Sequence, residues 1–290
     1  MLFSNSIQPG LVSLYSSTGS DPLYLWSSHV DAALASDSFI THLNDAESLP
    51  PPSPPKQLLS PPSLDQSTAS DPQTEERPGH ELDQTVLHIQ SPTLRTTYIR
   101  CPPEGWTTHQ ASTGRGIDRK LGRKGDLGLK HPWMYVQVRN LAREWSFEVG
   151  LVDQGGREGI VRCSTFQHEA KLTLRPTHPP LLHLPLSFPA ATQTTLTAWS
   201  TISLNLPSLL PHFSSASLIG RHDDSSDEDD DEDDGGIATA PTGSMPLPSS
   251  NFSHVAYVKI YATCRLRRVW FSEGGPGQKL PWEFELYGTS

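Results

Sequence analysis

Three cysteines, Cys101, Cys163 and Cys264, are too few and too far apart for a disulfide framework, and none stands in a CxxC or Cys/His zinc spacing. Long apolar runs are missing too: none approaches the roughly 18 residues of a membrane-spanning helix, so no membrane partner is expected. The opening residues, MLFSNSIQPGLVSLYSS, lack the basic start and unbroken apolar stretch of a secretory leader. A soluble, intracellular protein in a reducing compartment is expected, where the sequon at Asn251 has no consequence. The chain contains no GxSxG, HExxH or GxGxxG. His178 and His183 stand five apart among prolines, which is not a helical metal-ligand spacing. No catalytic residue, metal, cofactor or small-molecule substrate is therefore expected, and the chain reads as a non-enzyme.

What is abundant is proline, and acid in one place. Twenty-seven prolines beside 35% hydrophobic residues suit no single uninterrupted core. The net charge of −10 resides in residues 223–234, DDSSDEDDDEDD, which carry ten acidic side chains; the rest of the chain has 22 acidic and 22 basic residues. Partner preference must then come from how charge is distributed on the fold. Three interruptions are predicted. Residues 31–80, with PPPSPPKQLLSPPS, read as a disordered Pro/Ser-rich insert, and 214–250 as a Ser-rich and acidic one. Residues 104–126 read as a basic, glycine-rich loop carrying Arg115, Arg119, Lys120, Arg123 and Lys124. That loop is either a solvated surface or a weak electrostatic contact for nucleic acid or acidic tails. The acidic tract is either a spacer or a mimic of an acidic tail folding back on arginines. Ser225 and Ser226 precede acidic residues, and Ser53 and Ser60 precede proline, which makes the four candidate phosphorylation sites.

The remaining segments, 1–30, 81–103, 127–213 and 251–290, alternate with a period of two. Trp145, Phe147, Val149 and Leu151 share one face; Ile202, Leu204 and Leu206 repeat the pattern; Ala256, Val258, Ile260 and Ala262 do so again, opposite Tyr257, Lys259 and Tyr261. Further strands are expected at 11–15, 23–26, 85–90, 94–99, 133–139, 160–165 and 282–287, and a single helical turn at 207–210. Trp26, Trp133, Trp145, Trp199, Trp270 and Trp282 are expected in the core. The fold class is all-β: one antiparallel β-sandwich, jelly-roll-like, with disordered insertions.

Four ordered blocks resemble the cilia- and flagella-associated protein 20 family: SIQPGLVSLYSSTGSDPLYLW (6–26), VLHIQSPTLRTTYIRCP (86–102), LGLKHPWMYVQVRNLAREWSFEV (127–149), and ATCRLRRVWFSE (262–273) followed by LPWEFELY (280–287). The resemblance implies a β-sandwich building block of the axonemal doublet microtubule, at its inner junction, with tubulin or axonemal proteins as partners and no catalysis. Two stretches depart from the family pattern: PSLLPHFSSAS lacks the basic residues of a family helix, and GGREGIVR thins a basic run.

Arg265, Arg267 and Arg268 in CRLRRVWFS are the densest charge on any expected strand and would suit a carboxylate-rich partner. The competing reading is that they pack over apolar neighbours and pair internally. Adjacent strand residues point to opposite faces unless a bulge intervenes. Two rival functions follow from other features: a nuclear or cytoplasmic interaction protein using the acidic tract and basic loop, and a jelly-roll carbohydrate-binding module with exposed aromatics.

Overall fold

The computed structural model describes residues 2–3, 7–50, 85–106, 125–174, 178–189, 198–219, 246–249 and 251–285. Among them thirteen strands form: β1 (Leu11–Ser16), β2 (Ser27–His29), β3 (Phe39–Asn44), β4 (Thr85–Gln90), β5 (Tyr98–Cys101), β6 (Trp133–Arg139), β7 (Ser146–Asp153), β8 (Glu158–Ser164), β9 (Lys171–Thr173), β10 (Leu181–Pro185), β11 (Trp199–Asn205), β12 (Phe252–Tyr261) and β13 (Cys264–Ser272). The first sheet runs β11-β6-β13-β4-β3, with β1 sharing the β4 edge of β13; the second runs β2-β5-β12-β7-β8-β10-β9. Pairing is antiparallel except between β8 and β10, which run parallel.

The two sheets bury their alternating apolar faces against each other. Phe147, Val149 and Leu151 of β7, Val258 and Ile260 of β12, and Leu266, Val269 and Phe271 of β13 all enter one core. Each such side chain contributes on the order of 1.5–3 kcal/mol when fully buried, so this shared face dominates the driving force. A helical turn, α1 (Leu206–Leu209), with proline in its first turn, leads into a 3₁₀ turn at Leu210–Ser214. Together these insert Leu206, Leu210 and Phe213 into the core. This all-β sandwich is the architecture expected from the period-two pattern.

Several local expectations are corrected. Residues 31–50, assigned to the first insert, are folded: β3 pairs with β4 in full register, and the Asp31 carboxylate accepts hydrogen bonds from Thr93 and Thr96. The prolines beginning at Pro50 masked the alternation of FITHLN. Residues 23–26 form a turn and the strand starts at Ser27. Likewise 91–97 form a loop, with the strand starting at Tyr98. Trp282–Phe284 is a 3₁₀ turn rather than a strand, closed by the Phe284 and Glu285 amides donating to the Pro281 and Trp282 carbonyls, and 286–287 lie outside the described residues. The strands β9 and β10 were hidden by the prolines of RPTHPPLLHLP. A bulge in β12 at Ala256 turns that residue away from the core and lets Val255 in.

Of the tryptophans, Trp26, Trp145 and Trp270 are buried, Trp133 and Trp199 half-buried, and Trp282 is 55% exposed. At the ends of the other two predicted inserts the chain is also ordered. Asp126 forms a buried pair with His254 at 3.0 Å. Ile219 bridges to Leu172, and Ser249 donates from its backbone to Asp153.

Candidate interaction surface

On β13, Cys264, Leu266, Val269 and Phe271 face the core, so the residues between them face outward. The register against β6 shifts between Leu266 and Arg268, which makes Arg267 the bulged residue. The bulge brings all three arginines to the outer face of the first sheet: Arg267 Nη1 reaches the Glu285 carbonyl at 3.4 Å, and the Arg268 guanidinium lies 4.8 Å over the ring of neighbouring Phe284. Gln137, opposite Arg268, donates to the Phe284 carbonyl at 2.5 Å, so the chain around 284–285 straps this face. Beneath it, Trp270 stacks on Tyr135 at 4.9 Å and meets Phe284 edge-on. Burial, and then neighbouring Arg267, lower the Arg268 pKa.

Arg265 is not available to a partner. It is 8% exposed, and its Nη1 donates to both the carboxylate and the carbonyl of Asp45 at 2.8 Å. Its Nη2 donates to the Ser48 hydroxyl at 2.6 Å. Ser48 sits at φ 57°, the left-handed turn that folds this loop over the sheet. The same Asp45 carboxylate accepts from Arg139 at 3.0 Å and from the Trp199 indole at 2.9 Å. For Arg265 the internal-pairing reading is therefore the correct one. The residues Arg115, Arg119, Lys120, Arg123 and Lys124, and the serines Ser53, Ser60, Ser225 and Ser226, lie outside the described residues.

The outer face of the second sheet holds an arrangement that the sequence reading passed over. Strand registers align Ser27, Arg100, Lys259, Glu148, Arg162, His183 and Lys171 in a single row across all seven strands. Their strand neighbours Ile99, Val258, Val149, Val161, Leu182 and Leu172 face the core, which turns the row outward. Glu148 is nonetheless only 5% exposed, because Arg162 pairs with it at 2.6 Å, Tyr261 donates to it at 3.0 Å, and Tyr257 covers it. Gly150 makes room: a Cβ there would lie 2.5 Å from the Tyr257 ring. Lys259 Nζ sits 3.7 Å from the centre of Tyr98 and 4.7 Å from that of Tyr261, while Arg100 lies 4.7 Å over Tyr257.

Burial pulls the Arg162 pKa down, but the Glu148 carboxylate more than offsets this and leaves it raised. Burial lowers Lys259. It pushes His183 to about 4, assisted by the Arg162 charge, so His183 is neutral and hydrogen-bonds Ser164. The signal for this surface was present in the Tyr257, Lys259, Tyr261 alternation, but the cross-strand partners come from distant segments.

Near the 91–97 loop an open cleft of about 590 Å³ is lined by Asp37, His88, Arg143 and Glu144, with Leu94 and Leu141. No Trp, Tyr or Phe is among its described lining residues. No group of three or more His, Cys, Asp and Glu among the described residues is placed to hold a metal ion.

The molecule is thus a two-sheet sandwich with a strapped arginine face on one side and a row of cations and tyrosines on the other. The family model of the CFA20 domain matches residues 66–216, more than half of the chain. The chain belongs to the CFA20 domain family. It is similar over 287 residues to proteins named cilia- and flagella-associated protein 20. The protein from Chlamydomonas reinhardtii is 21% identical, covering 99% of this chain and 97% of that protein. Those from Caenorhabditis elegans and Paramecium tetraurelia are each 20% identical over 99% of this chain and 91% and 96% of theirs. The resemblance carried by the four sequence blocks is thereby shown.

Proposed function

We propose that this chain is a non-enzymatic architectural protein of the cilium that docks on the doublet microtubule, with a place at the inner junction implied by its resemblance. A cilium-related role follows from membership of the CFA20 domain family and from relatives that match almost end to end. That membership is the observation that carries the reading. The geometry supports docking through Arg267 and Arg268, which the bulge in β13 sets side by side on one face, beside Phe284 and Glu285. Guanidinium groups suit the carboxylates of an acidic protein lattice. Arg265 is a stability residue in this reading. No helix among the described residues is long and apolar enough to cross a membrane.

Co-sedimentation with taxol-stabilised microtubules tests the docking, and imaging of a tagged chain in a flagellated cell tests the location. Pelleting that weakens in Arg267→Ala/Arg268→Ala is expected, with signal along the axoneme or at the basal body. Pelleting unchanged by the double substitution removes the arginine assignment. No pelleting together with a nuclear or diffuse cytoplasmic signal overturns the architectural reading in favour of an interaction protein outside the cilium.

A further inference from the structure

The row across the second sheet carries four cationic side chains, Arg100, Lys259, Arg162 and Lys171, and within it only the carboxylate of Glu148. Glu148 is committed to Arg162 and two tyrosines. Beside the row, the exposed carboxylate of Glu104 stands 3.6 Å from Arg100. Lys259 rests on ring faces, and Lys171 is exposed at the far end. Glu158, on the same outward face of β8, adds a carboxylate near Tyr257, and the four cations of the row still exceed these three carboxylates. With strands about 4.8 Å apart, the six strands from Arg100 to Lys171 place the ends of the row roughly 24 Å from each other, which an extended polypeptide covers in about seven residues.

We propose that this face is a docking surface for an extended, Asp/Glu-rich segment of a partner protein, laid across the strands from Lys171 to Arg100. The argument does not depend on the ciliary reading. Charge complementarity selects an acidic occupant, and the aromatic rings select polypeptide over single-stranded nucleic acid. Bases need free ring faces on which to stack. Here those of Tyr98, Tyr257 and Tyr261 are engaged by this chain's own cations, and His29 stacks on Tyr98 at 4.6 Å. Carboxylates need only the ammonium and guanidinium donors that fringe the rings. The rings hold the cations in place, so little side-chain freedom remains to be lost on binding.

The test is fluorescence anisotropy of the full chain with a labelled oligoglutamate peptide of about twelve residues, long enough to span the row. Binding is expected at about 0.02 M salt and strong weakening at about 0.2 M, where the Debye length is short. Lys171→Glu and Lys259→Met should each weaken binding by about two- to five-fold. Lys130→Ala, which removes an exposed cation outside the row, should leave it unchanged. Lys171 is exposed, so Lys171→Glu should keep the wild-type melting temperature and separates lost docking from lost folding. Absence of binding at low salt, or affinity indifferent to both lysine substitutions, overturns the proposal. So does an equally long single-stranded oligothymidylate that binds more tightly than the peptide and is weakened by the same substitutions.

Discussion

Arg265 and Asp45, 220 positions apart, are joined twice, through the aspartate carboxylate and through its backbone carbonyl, both at 2.8 Å. The carboxylate also holds Arg139 and the Trp199 indole, so one acidic side chain ties β13, β6 and β11 to the loop after β3. Removing one partner from a buried ion pair leaves the other charge unpaired at a cost of about 3 kcal/mol. Asp45→Ala should therefore lower unfolding free energy by about that amount, read as a shift in urea midpoint at constant slope. Arg265→Ala should destabilise similarly while leaving microtubule affinity per folded molecule intact. A loss of affinity without a loss of stability would contradict the structural role given to Arg265.

Gly150 lies under the Tyr257 ring, with no space for a Cβ. Gly150→Ala should cost about 1–3 kcal/mol, in the range of overpacking. Tyr257 is on the outer face, where it can swing toward solvent, so the lower end of that range is expected. Tyrosine fluorescence should report the displaced ring, and wild-type stability and spectrum in the variant would show that the contact is not tight.

Acid should weaken the fold through His183. Its folded pKa of about 4 lies below the ordinary 6.5, so the unfolded chain takes up a proton first as pH falls. The contribution is fully present above about pH 6.5 and is lost as pH drops toward 4. Burial depresses His42 and His88 in the same direction. Urea midpoints measured across this range should fall for the wild type and fall less steeply for His183→Asn. Parallel slopes in the two proteins would remove His183 from the acid limb.

Alkali should act through tyrosine. Burial raises Tyr15, Tyr257 and Tyr261 above the ordinary value of 10.0, with the Glu148 charge adding to the effect on the last two. The stability they confer is complete below pH 10 and declines above it, because the unfolded chain ionises first. In an absorbance titration these three should ionise only together with unfolding. Smooth ionisation of every tyrosine near pH 10 in a still-folded protein would refute the burial argument.

Much of the fold was legible because strand alternation is local. SFEVGLV shows its core face to any reader, and the outer Tyr257, Lys259 and Tyr261 follow from the same parity. Proline-rich flanks hid β3, β9 and β10, where short strands rely on neighbours rather than on their own propensity. The resemblance in four blocks was legible too, since it rests on ordered wording.

By itself, then, the sequence determined an all-β sandwich, its family and the placement of net charge in one acidic tract. Only the tertiary structure decided which arginine is paired, which face the triplet occupies, and which cations line up. A single bulge at Arg267 and the register of seven strands set these outcomes. Register and bulges are fixed by packing between segments up to hundreds of residues apart, where one residue of slip exchanges every inward side chain for an outward one.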